Sequence, residues 1–180
     1  MSLAMALGAC GGGGPPKQAE APKVDLDAPP KGSPPEKVVS AQAAEAEAAL
    51  EAGDYATARA KAQAAVDKAA GDADAHFVLG VCAQKDGDND GAVTHYKAAL
   101  AGDATIVSAA ANLAGLLADL KRFDEAVEVA RSGIAHGGKG VAELHIALGD
   151  AFKGQGKHDL AAKSYENAIK LKADDAQLYL

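Results

Sequence analysis

Two short segments carry residue types at spacings that could bind a ligand. Asp86-Gly87-Asp88-Asn89-Asp90-Gly91 sets three carboxylates at alternate positions before a glycine, the opening of a calcium-coordinating loop. Such a loop closes with a bidentate glutamate at its twelfth place, and Lys97 stands there. Gly133-Ile134-Ala135-His136-Gly137-Gly138-Lys139-Gly140 has the glycines and lysine of a phosphate cradle. Gly140 replaces the hydroxyl that would hold magnesium, and the segment follows a helical pattern where a strand is required. Both segments are expected to be turns.

The histidines make no H-x3-H or H-E-x-x-H pair, so no metal site is assigned. No serine or cysteine stands in a nucleophile elbow or triad order, so no catalytic residue is assigned either. A calcium- or nucleotide-dependent enzyme is the least favoured reading, and no cofactor or small-molecule substrate is expected. The two cysteines, Cys10 and Cys82, lie in unlike segments. Cys82 sits in an apolar helical pattern and is expected to be a buried free thiol.

Any such residues need elements to position them. The chain has 180 residues, 4% aromatic and no tryptophan, and is rich in alanine, which favours close-packed helices over sheet. Net charge is −7, and residues 1–35 are balanced, so the whole excess falls on the remainder. An acidic surface disfavours nucleic acid and bare anionic membrane as partners, because phosphates need Lys and Arg. No run approaches the roughly 20 apolar residues of a membrane-spanning helix. Residues 11–35 are dominated by Gly and Pro and read as a disordered linker. Ser33-Pro34-Pro35-Glu36 is a capping box, placing a helix start and a domain boundary near residue 35. Asp72, Asp103 and Asp174 are expected helix N-caps.

A repeat organises the chain beyond that boundary. Ala58, Ala92, Ala126 and Ala161 are 34, 34 and 35 residues apart, and Leu79, Leu113 and Leu148 keep the same step. Tyr96, Ala130 and Tyr165 form a third column, and Ala65, Ala99, Gly133 and Ala168 a fourth. Gly53, Gly87 and Gly156 mark the turn inside three hairpins, with Lys121 in the remaining one. Small residues such as Gly80, Ala92 and Ala99 would let helices approach closely, with Leu79 and Tyr96 filling the layer between hairpins. His76 and His145 occupy equivalent repeat places, which argues for packing at a helix start.

This pattern resembles the tetratricopeptide repeat (TPR) family, through His76-x2-Leu79-Gly80-x2-Ala83 with Ala92-x3-Tyr96, and His145-x2-Leu148-Gly149-x2-Phe152 with Ala161-x3-Tyr165. The middle unit keeps Leu113-Ala114 and Ala126-x3-Ala130, and the first has Glu45 in the leucine column. The proline that usually closes a unit is replaced by Ala104, Gly138 and Ala173. The resemblance implies an all-α fold, a right-handed TPR superhelix of about four helical hairpins after a disordered N-terminal tail. The domain would span 36–180, in units of about 39–72, 73–106, 107–141 and 142–175 plus a short terminal helix from Asp174.

The resemblance also implies a concave groove lined by the first helix of each hairpin. By register it would carry Phe77, Val81 and Gln84, then Ala111, Gly115 and Ala118, then Ile146, Asp150 and Lys153. The family's basic carboxylate clamp is not matched, since its places hold Val78, Asn112, Ala147, Asp74, Ser108 and Glu143. The expected partner is a protein or peptide, an apolar segment with basic flanks.

Leu7-Gly8-Ala9-Cys10 resembles the lipobox of bacterial lipoproteins, with residues 1–10 a partial signal peptide lacking the usual basic region. That resemblance implies lipidation of Cys10 and anchorage of the domain at a membrane through the linker. The expectation is a lipid-anchored scaffold for a bacterial cell-envelope complex, facing the periplasm, at the outer membrane before the inner. The alternative is a soluble cytoplasmic TPR adaptor or co-chaperone-like peptide binder.

Overall fold

The computed structural model describes residues 40–177. Cys10, the linker 11–35 and the capping box Ser33–Glu36 lie outside the described residues. Among the described residues, eight α-helices and one 3-10 turn run in this order: α1 (Ala41–Glu51), α2 (Tyr55–Lys68), α3 (Ala73–Lys85), α4 (Asn89–Gly102), α5 (Val107–Asp119), α6 (Phe123–Ala135), the turn Gly138–Gly140, α7 (Ala142–Gly154) and α8 (His158–Gln177). No strand occurs among the described residues. The all-α fold of four stacked hairpins is therefore the one the repeat implied.

Each hairpin closes on a residue with positive φ: Gly53 at 77°, Gly87 at 80°, Gly156 at 72° and Lys121 at 61°. Glycine adopts that conformation without steric cost, and lysine does not. Aspartate then opens the second helix in two hairpins. Asp54 accepts from Thr57 N at 3.0 Å, and Asp88 accepts from Gly91 N at 3.0 Å. Ser40 and Asp72 cap α1 and α3 in the same way, through Ala43 N and Ala75 N.

Two expected caps are corrected. Asp103 ends α4, and its carboxylate binds Thr105 N at 2.8 Å and the Thr105 hydroxyl at 2.6 Å. The nearer threonine takes the carboxylate for a local turn, and α5 starts at Val107 with no side-chain cap. Asp174 lies inside α8, which runs unbroken to Gln177, so no separate terminal helix begins there. Ala173 stands where a closing proline would break the helix, and Lys170-Leu171-Lys172 are good helix formers.

Packing follows the columns. Within hairpins, α1 lies on α2, α3 on α4, α5 on α6 and α7 on α8. Between hairpins, α2 meets α3, α4 meets α5 and α6 meets α7. The core is largely alanine: Ala58, Ala92 and Ala126 are fully buried, and Ala161 is nearly so. Tyr96, Leu113, Leu117, Leu144, Val78 and Cys82 are the largest fully buried side chains. The first helices α1 and α3 touch, as do α5 and α7, whereas α3 and α5 are not so closely joined.

Candidate functional site

A cleft of about 260 Å³ lies between α3, α5 and α7. Ala111, Gly115 and Leu116 of α5 and Ile146 and Ala147 of α7 give it an apolar floor. Gln84 of α3 and Asn112 of α5 add amides. Asp119, Glu143 and Asp150 add three carboxylates, and no Lys, Arg or His lines it. A second hollow of about 400 Å³ lies against Gly156–Leu160, the turn before α8 and the start of that helix.

The cleft's polar groups are held from beneath by tyrosines in the repeat's third column. Tyr96 donates its hydroxyl proton to Gln84 Oε1 at 2.8 Å and accepts from Asn112 Nδ2 at 3.3 Å. Burial pushes the Tyr96 pKa up to about 12, the Asn112 hydrogen bond opposing. Tyr165 donates to Asp150 Oδ1 at 2.6 Å, and burial followed by the Asp150 carboxylate raises its pKa to about 12. Each tyrosine thus stays protonated and orients an acceptor at the cleft wall.

Of the nine residues expected in the groove, Gln84, Ala111, Gly115, Ile146 and Asp150 line this cleft. Phe77, Val81 and Ala118 are half-buried and pack against the core between the second and third hairpins. The Phe77 ring lies 6.2 Å from that of Tyr96, so it supports the wall. Lys153 is exposed at the end of α7, outside the cleft. Leu116 and Asp119 were not among the residues expected there. Asp119 stands eight residues after Ala111 on one helical face, and a stripe drawn at i, i+4 and i+7 stops one residue short of it. Of the clamp places, Val78 and Ala147 are buried, and Asn112 is engaged by Tyr96.

The segments that suggested ligand chemistry have structural occupations. Asp86 pairs with Arg59, whose guanidinium also donates to Cys82 O at 3.2 Å, and Asp88 caps α4. Lys97 pairs with Glu125 at 2.8 Å. In the second segment, Gly133 is buried in α6, where a Cβ would stand 2.8 Å from that of Ala110. A Cβ at Gly138 would stand 2.8 Å from Gly133 O, so both glycines serve packing. Cys82 is a buried free thiol whose pKa is raised by burial, with Sγ 3.7 Å from Tyr55 O.

His76 and His95 meet Nδ1 to Nδ1 at 3.1 Å. His76 Nε2 lies 2.9 Å from Ala70 O, which requires a proton there, so His95 supplies the proton shared between the rings. In the last hairpin, His145 stands in the column of His76, and Ser164 in that of His95. Ser164 donates to Leu160 O at 2.8 Å, and His145 Nδ1 is buried without a hydrogen-bond partner among the described residues.

Comparison with known proteins agrees with this geometry. Sequence profiles described as tetratricopeptide repeat match residues 43–105 and 83–140, and a further one matches 142–175. No curated protein matches the chain. Among solved structures, a crystal structure of MamA is 19% identical, with a TM-score of 0.67 over 78% of this chain and 82% of that one. MamA from Desulfovibrio magneticus RS-1 is 18% identical, with a TM-score of 0.63 over 74% and 77%. PilF from Pseudomonas aeruginosa is 23% identical, with a TM-score of 0.64 over 73% of this chain and 60% of that one. At these identities the likeness concerns the fold.

Proposed function

The chain belongs to the tetratricopeptide repeat family, and on that premise we propose that it is a lipid-anchored adaptor whose cleft receives an apolar peptide or helix with basic flanks. Repeat scaffolds of this family bind protein partners, and the coarse function is that of a protein-interaction scaffold. The observation that carries the finer reading is the cleft itself, an apolar floor edged by Asp119, Glu143 and Asp150, of which Glu143 meets Lys172 only at 3.6 Å with both side chains exposed. An apolar segment fills the floor, and Lys or Arg on its flanks meets the carboxylates. Amides from Gln84 and Asn112 offer hydrogen bonds to an incoming backbone.

The anchor would be Cys10, the last residue of Leu7-Gly8-Ala9-Cys10, with residues 11–35 as tether. Acyl chains on Cys10 would hold the repeats at the periplasmic face of the bacterial envelope, the outer membrane first, where the cleft recruits a component of an envelope assembly. Among the described residues no helix is long and apolar enough to cross a membrane.

Two experiments test the two halves separately. Full-length protein expressed in its native cells should incorporate radiolabelled fatty acid, and Cys10→Ala should lose the label. Label that persists in Cys10→Ala, or never appears, removes the anchor and leaves a soluble adaptor. A photo-crosslinking amino acid placed at Ile146 should capture a protein from native envelopes, whereas one placed at the exposed Leu160 should not. Equal capture from both positions removes the cleft as the binding face.

A further inference from the structure

Two packed helices bring one imidazole each to the same place. His76 lies in the first turn of α3 and His95 in the middle of α4, and both are half-buried. Their Nδ1 atoms are 3.1 Å apart, their ring centroids 5.4 Å. That centroid separation is about the widest that such a contact between ring atoms permits, so the two nitrogens point straight at one another. His76 is held in this orientation from behind, where Nε2–H donates to Ala70 O at 2.9 Å. A histidine anchored through one nitrogen to a backbone carbonyl presents the other as a fixed lone pair, the arrangement that metal-ligating histidines use. Burial, then His76, lowers the His95 pKa, so His95 is neutral at pH 7 and does not repel a cation.

We propose that this pair binds one monovalent d10 cation, copper(I) or its analogue silver(I), in linear two-coordination between the two Nδ1 atoms. Geometry selects the ion. Among the described residues no group of three or more His, Cys, Asp and Glu side chains could hold a metal ion, so the site offers two protein ligands. Zinc takes four ligands, and copper(II) and nickel(II) take four or more at right angles. Across a 3.1 Å gap, bonds of about 2.1 Å would place such an ion off the line between the nitrogens, at an angle of about 100°. Both rings would have to turn toward that point, and His76 would swing away from Ala70 O. A linear ion keeps both rings on their present axis. Bonds of about 2 Å require the nitrogens to part by about 1 Å, and the Ala70 anchor leaves most of that movement to His95. The proton on His95 Nδ1 moves to Nε2 as the ion takes its place, so binding needs neither oxidation nor net proton release. Imidazole is a suitable ligand for copper. The last hairpin supplies a contrast within the same chain. There His145 keeps the column of His76, but Ser164 replaces His95 and donates to Leu160 O.

Imidazole nitrogen NMR of the isotope-labelled full-length chain, titrated with silver nitrate in chloride-free buffer, tests the proposal. The chain carries Cys10→Ser, so that this thiol does not compete. Silver that reaches the buried Cys82 thiol leaves the imidazole signals unmoved, so the readout belongs to the pair. The expected result is that the Nδ1 signals of His76 and His95 shift together and saturate with one bound ion. His95→Gln should raise the dissociation constant read at His76 roughly ten-fold or more, because one of two linked ligands is lost. His145→Gln should leave the pair's titration unchanged. Helical circular dichroism of each variant, unchanged from the parent, shows that lost binding is not lost fold. Nδ1 signals that silver does not move overturn the proposal, as does binding at His76 indifferent to His95→Gln. Zinc sulfate that saturates the pair before silver does, or equal weakening by His145→Gln, also overturns it.

Discussion

The Tyr96 ring lies across the backbone of Gly80 so closely that a Cβ on Gly80 would stand 2.6 Å from Tyr96 Cδ1. Gly149 and Tyr165 repeat the relationship in the last hairpin, where the nearest approach would be 2.5 Å, to Cε1. In the third hairpin the same places hold Ala114 and Ala130, both fully buried, so the volume is redistributed between the helices. Gly80→Ala should therefore destabilise the fold by about 1–3 kcal/mol, the usual cost of overpacking a filled core. Gly115, in the middle of α5 with nothing within 4 Å of a built Cβ, is the control. Gly115→Ala should stabilise by about 0.5–1 kcal/mol through helix propensity. Urea unfolding followed by circular dichroism measures both.

Lys121 holds φ at 61° where three sister turns use glycine. Lys121→Gly should raise stability by roughly 1 kcal/mol, because an L side chain is strained in that conformation. Gly87→Ala should lower it by a similar amount. A higher urea midpoint with an unchanged slope is the expected signature for Lys121→Gly.

The His76–His95 pair should make stability fall in mild acid. Burial, then the neighbouring His76, holds the His95 pKa below its ordinary value, with Asp88 pulling the other way. A histidine that binds its proton more weakly folded than unfolded loses stability as pH drops from about 6.5 through the lower folded value. Thermal midpoints recorded across that window should decline, and the slope should flatten in His95→Gln. An unaltered slope would place the titration elsewhere.

Alkaline unfolding should depend on Tyr96 and Tyr165. Their pKa values stand at about 12 in the fold, so the stability they contribute is full below the unfolded value near about 10 and is lost as pH rises through about 12. Tyrosinate absorbance should show late steps that disappear singly in Tyr96→Phe and Tyr165→Phe. Tyr96→Phe should also cost about 0.5–1.5 kcal/mol for its hydrogen bonds.

Cleft and wall should separate by mutation. Ile146→Glu, at the half-buried cleft floor, should abolish partner capture while leaving the helical signal intact. Phe77→Glu should lower thermal stability as well, because Phe77 packs beside Tyr96. Capture should weaken as salt rises, since Asp119, Glu143 and Asp150 are screened. Capture unaffected by Ile146→Glu would move the binding face away from the cleft.

The sequence alone determined the repeat, because spacings of 34 and 35 residues and small residues at fixed columns are local facts that packing can only reuse. Gly53, Gly87, Gly156 and even Lys121 were legible as turns, since the register demands a left-handed residue at each place. Helix ends were less legible. Asp103 and Asp174 are capping residues by type, yet a neighbouring threonine engages one and an unbroken helix encloses the other. Tertiary structure decided which groove residues face solvent. Phe77 and Ile146 occupy matching stripes in sequence, but Phe77 lies against Tyr96 while Ile146 lines the cleft between α3, α5 and α7. It also decided that His76 meets His95 and that Tyr96 reaches Gln84. Those outcomes depend on distances between helices far apart in the chain, and periodicity within one helix carries no information about them.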